Sequence, residues 1–182
     1  MCNLHNNTEK PDNKLNRLVS LAADESMRST VAYKHGAVIY QGKKKICSGY
    51  NQNTRSVYRK NISCSIHAEM DTLVRFLNSF IKIHNTKHNP HKTRRKMHKY
   101  SICVVRTVER IDGSIDYLNS LPCRDCLIKL KMVGLNKVSY TATNNQILTA
   151  KINRIETNHL QFCGVMRIQG IQEKMRTKHL LI

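Results

Sequence analysis

Residues 65–76 read SIHAEMDTLVRF, and in this stretch two kinds of chemistry meet. Met70, Leu73, Val74, Leu77 and Ile81 recur at i, i+3, i+4 and i+7, the spacing of a helix laid on a sheet, which predicts a helix ending near His84. Its first residues, His67 and Glu69, do not belong in an apolar core without a partner. Fifty residues on, Pro122-Cys123-Arg124-Asp125-Cys126 opens a second helix that runs to about Val133, with Gly134 as its cap.

Between and around these helices the pattern is that of strands. Leu15, Leu18, Val19 and Ala22 predict a first helix from Lys14 to about Thr30. GAVIY (36–40) and KICSGY (45–50) read as strands joined by the turn 41–44, and 51–64 reads as polar loop. YSICVVRTV (100–108) is the strongest strand, and Asp112-Gly113 marks a turn that brings 114–118 back onto it. KVSYTA (137–142) is a further strand, while ILTAKI (147–152) fits a strand or a helix. Residues 84–99, with six Lys/Arg, four His, Pro90 and a single apolar residue, Met97, read as a loop or linker insert outside the core. This order predicts a layered α/β domain with a mixed sheet.

The chain has 182 residues, 40% hydrophobic and 5% aromatic with no Trp, enough for one domain with an aliphatic core. Its apolar runs fall short of the ~18 residues of a membrane span, and its start does not resemble a signal peptide, so an intracellular protein with no membrane partner is expected. Lys and Arg number 31 against 12 Asp and Glu, a formal +19 that favours polyanions: nucleotides or nucleic acid. The seven cysteines, Cys2, Cys47, Cys64, Cys103, Cys123, Cys126 and Cys163, are an odd number, which directs attention to metal binding before disulfides.

His-x-Glu followed by Pro-Cys-x-x-Cys is the signature of zinc base deaminases, and the chain resembles the cytidine/deoxycytidylate deaminase superfamily. The likeness extends to HGAVIYQGKKKICSGYN (35–51), to VVR (104–106) and to GLNKVSYTA (134–142). It implies a three-layer α/β/α cytidine-deaminase-like domain over 14–160, with a mixed sheet of about five strands. A flexible segment 1–13, the basic insert 84–99 and a basic tail 161–182 would accompany it. It also implies that His67, Cys123 and Cys126 hold Zn²⁺, with Glu69 as the catalytic proton carrier. One imidazole and two thiolates suit zinc and leave a fourth corner for water, whose pKa the ion brings toward ~7.

Cys64 stands at metal-like spacing before His67, but as a fourth ligand it would close the site, so a buried thiol is the expectation. Cys47 and Cys103 read as core. By resemblance Asn51 contacts the substrate, Ala68 and the loop around Ser120 line the base pocket, and the protein assembles as a homo-oligomer. Tyr50, Tyr58 and Tyr100 are the aromatic residues expected near the site. His84, His88, His91 and His98 read as solvated. The expected reaction is deamination of cytosine in a nucleoside or nucleotide, with dCMP leading, although Met-Asp-Thr-Leu after His-Ala-Glu departs from the deoxycytidylate pattern. Base editing in tRNA or single-stranded nucleic acid is the second reading. A basic packaging protein with a structural zinc is the third.

Overall fold

The computed structural model describes residues 13–53, 56–58, 61–63, 65–84 and 90–157. A six-stranded mixed sheet forms the middle layer. It contains β1 (Lys34–Gln41), β2 (Lys44–Tyr50), β5 (Ser101–Glu109), β6 (Ile115–Leu118), β7 (Lys137–Thr141) and β8 (Ile147–Lys151). The strand order is β2-β1-β5-β7-β8, with β6 paired to the far end of β5. Only β5 and β7 are parallel among these pairs; the others are antiparallel. The sheet thus has one strand more than the five or so the resemblance implies, because the expected return of 114–118 forms β6, and residues 147–152 resolve as strand plus a single 3₁₀ turn.

The central strands are apolar on both faces because both are covered. Ala37 and Ile39 of β1 and Ile102 and Val104 of β5 face a cluster that includes Leu73, Phe76 and Phe80 of α2 (Ala68–His84). Leu127 and Leu130 of α4 (Arg124–Val133) join the same cluster. On the other face, Val38, Tyr40, Cys103 and Val105 meet Leu18, Val19, Ala22 and Ala23 of α1 (Asn13–Met27). These are the three layers, helix, sheet and helix, that the sequence predicts. Gly36 lets α1 approach β1 closely: a Cβ there would overlap the Ala22 carbonyl oxygen. Gly134 caps α4 at φ 94°, and its N–H donates to the carbonyls of Leu130 and Lys131.

Two stretches read as loop have more structure. Within 51–64, β3 (Ser56–Tyr58) and β4 (Asn61–Ser63) pair antiparallel. Within the basic insert, α3 (Pro90–Met97) is a helix, and Met97 is fully buried in the larger cluster. One apolar side chain is enough to seat a polar helix when its neighbours are already in place, and a periodicity search cannot register a single residue. Tyr100 also departs from expectation: it lies beside Phe76 at a ring separation of 4.8 Å and edge-on to Phe80. It therefore packs where β5 begins, at the opposite end of that strand from Glu109. The expectations for Cys2, Cys64, Cys163, His88, segment 1–12 and tail 161–182 fall outside the described residues, as do the side chains of Tyr58, His84 and His91. No helix among the described residues is long and apolar enough to cross a membrane.

Candidate active site

The parallel strands β5 and β7 end on the side where α2 and α4 begin, so two helix N-termini converge there. His67 directly precedes α2, and its carbonyl accepts from the N–H groups of Met70 and Asp71 at 3.0 Å each. Cys123 holds the equivalent position on α4 with extended backbone (φ −65°, ψ 163°), and its carbonyl accepts from Leu127 N at 2.9 Å. Cys126 follows in the first turn of α4 and is buried. The partial positive charge at each helix start favours thiolate.

His67 Nδ1 stands 3.2 Å from Cys126 Sγ and 3.5 Å from Cys123 Sγ. One ligating atom from each of the three residues lies within 4.8 Å of the others. A shared ion with bonds of ~2.0–2.3 Å permits these separations. The donor set therefore fits Zn²⁺ by chemistry and by convergence. The two thiols are coupled: the hydrogen bond from Cys126, opposed by burial, holds Cys123 down to about 4. The same bond, together with burial, pushes Cys126 well above the ordinary thiol range.

Glu69, one residue into α2, is only 5% exposed, and burial raises its carboxyl above the ordinary value. The His67 charge opposes that rise and the Cys123 charge adds to it. A buried carboxyl held toward its protonated form beside a metal-type ligand set can take and return a proton.

Beside these residues is a cavity of about 160 Å³. Its wall includes the sequence-predicted residues Asn51, His67, Ala68, Glu69, Ser120 and Cys123. Asn51 braces that wall: its Oδ1 accepts from His35 N at 2.7 Å and its Nδ2 donates to Tyr33 O at 2.6 Å. Ser29 Oγ donates to Asn51 O at 2.8 Å and fastens the same loop. Ser120 is turned inward: its hydroxyl donates to Val104 O at 2.7 Å and accepts from Thr141 N at 2.9 Å.

Leu121, in the expected loop around Ser120, also lines the cavity, as do Val31, Tyr33 and His35, which the sequence did not single out. A clue lay in YKHGAV, where an aromatic residue and a histidine sit at the mouth of a strand whose partner ends at Asn51. The Arg106 guanidinium lies 4.7 Å from the centre of the Tyr33 ring. Burial lowers His35 to about 4; the Tyr33 carbonyl opposes this, and the Arg106 and His67 charges reinforce it. His35 is thus a neutral hydrogen-bonding group at pH 7.

No protein-family model matches the chain, and no curated protein matches it in sequence. Among solved structures it is similar to a cytidine deaminase from Burkholderia pseudomallei, with TM-score 0.52 and 16% identity over 80% of this chain and 98% of that one. A dCMP deaminase from the cyanophage S-TIM5 in apo form gives TM-score 0.44 and 20% identity over 75% and 88%. Its complex with dCMP and dUMP gives TM-score 0.40 and 16% identity over 73% and 83%. The first match places the chain in the cytidine-deaminase-like fold.

Proposed function

We propose that this protein is a zinc-dependent hydrolase that deaminates cytosine in a nucleoside or nucleotide, with dCMP the leading substrate. One observation carries the reading: three soft or borderline donor side chains converge beside a buried carboxyl at the edge of an open cavity. Three protein ligands are the arrangement of a catalytic zinc, whereas structural sites commonly have four.

Zn²⁺ held by His67, Cys123 and Cys126 would supply the Lewis acidity that makes water a nucleophile near neutral pH. The chain's own residues do the rest. Glu69 accepts a proton from the attacking water on a carboxylate oxygen as the water oxygen bonds to the amine-bearing carbon, and delivers it to the adjacent ring nitrogen. It then carries the remaining hydroxyl proton to the amine as the carbon–nitrogen bond breaks, so that water is consumed, ammonia leaves and the uracil form remains. The free amide hydrogen of Asn51 and the backbone at Ala68 orient the base. Ser120 shapes the wall by its position, because its hydroxyl proton is committed to Val104.

The test is a panel of dCMP, CMP, cytidine, tRNA and single-stranded DNA with zinc-loaded protein, following ammonia and uracil. Turnover of a free nucleoside or nucleotide above that of the polymers supports the proposal. Turnover of tRNA or single-stranded DNA alone would replace it with the editing reading. No turnover on any of them would remove the enzyme.

A further inference from the structure

The two ends of the sheet differ in how their charges are balanced, for acids at one end meet bases such as Lys34 and Arg110. Glu69, Asp71, Glu109, Asp112, Asp116 and Asp125 all lie toward the end where β5 and β7 finish and the cavity opens. The opposite end gathers the starts of β5 and β7, the last turns of α3 and α4, and the finish of β8. Lys96 and Lys99 flank the step from α3 into β5, Lys131 lies in the last turn of α4, and Arg154 follows β8. Lys137 opens β7 directly across from Lys151 in the β7–β8 register. All six are exposed, and among the described residues none is in an ion pair. Glu156 is the one acid at this end among the described residues.

Helix-end lysines have an ordinary explanation, since Lys96 and Lys131 complement the negative ends of α3 and α4. That explanation does not reach Lys137, Lys151 and Arg154, which are not on α-helices. Like charges placed directly opposite on neighbouring strands are destabilising, so the Lys137–Lys151 pair works against folding unless an anion lies over it. A phosphate backbone is the ligand whose charge repeats along a surface of this kind.

We propose that this basic pole binds the phosphate backbone of nucleic acid. The nine residues of β5, at ~3.3 Å each, put the pole roughly 30 Å from the cavity. A strand held there does not place its base beside Glu69 of the same molecule. The pole is therefore a tether and not a substrate channel, and it stands or falls independently of the deaminase reading.

The experiment measures binding of labelled single-stranded DNA, single-stranded RNA and duplex DNA between about 50 and 200 mM salt. Three proteins are compared: wild type, a pole variant (Lys137→Gln, Lys151→Gln, Arg154→Gln) and a control (Arg110→Gln, Arg124→Gln, Lys129→Gln). The pole variant should bind at least about tenfold more weakly, with a duplex salt slope shallower by roughly 2.5 at ~0.9 per lost phosphate contact. The control should change less than about twofold, and cooperative thermal melts no lower than that of wild type show that both variants fold. Equal losses in the two variants would reduce the effect to net charge and overturn the pole. Wild type that binds vesicles of anionic lipid but no nucleic acid would overturn the ligand.

Discussion

Cys103 and Cys123 show how far surroundings can separate two thiols in one small domain. Cys103, fully buried in β5 against α1, is pushed up to about 12 by desolvation alone, whereas Cys123, hydrogen-bonded by Cys126 at a helix start, falls to about 4. The sign for Cys103 is definite. Its folded value lies above the unfolded value of 9.0, so from about pH 9 to 12 the unfolded chain releases a proton that the folded chain keeps. Unfolding free energy from this group should fall by up to ~1.4 kcal/mol per pH unit across that window. Denaturant melts of wild type and Cys103→Val should therefore converge as pH rises above 9, and parallel curves would contradict the assignment. At this scale the meeting of His67, Cys123 and Cys126 beside Glu69 was legible because short motifs on helix starts carry their own geometry. Tyr33 and His35 could not, because their place in the wall depends on a hydrogen-bonded brace from Asn51, far along the chain.

Helices with a repeating apolar stripe declared themselves, and α1, α2 and α4 are found within a few residues of their expected limits. α3 did not, since its seven other residues are polar or charged, or Pro90, and a single buried methionine seats it. Met97→Ala should thus cost about 2–5 kcal/mol in a urea melt, while Lys96→Ala on the same helix should stay within ~0.5 kcal/mol. Equal small effects would mean that α3 is not docked. Gly36 is the matching test on the opposite face. Gly36→Val should destabilise by at least ~1–3 kcal/mol, because the added carbons overlap the α1 backbone at Ala22 and Ser26. The short pair β3–β4 lay beyond sequence patterning for a different reason: pairing of three residues is decided by neighbours, not by their own alternation, whereas β6 was legible from the turn at Asp112-Gly113.

The whole molecule divides its tasks between a core that spans both sheet faces and a site built at one end of it. Two apolar clusters hold the layers together without calling on His67, Cys123 or Cys126. Stripping the metal with a chelator should accordingly abolish deamination while the thermal transition remains cooperative, and collapse of the fold would identify a structural zinc. Fold class was legible because alternation, helix spacing and motif order all pointed to one architecture; substrate was not, because it depends on side chains that converge from the entry to β1, the residue after β2 and the loop before α4. The most direct test is turnover by zinc-loaded Glu69→Gln beside wild type, with metal content measured in both. Equal zinc, an intact fold and a loss of at least ~100-fold in kcat on the preferred cytosine substrate are expected. Glu69→Gln protein that deaminates at the wild-type rate would contradict it.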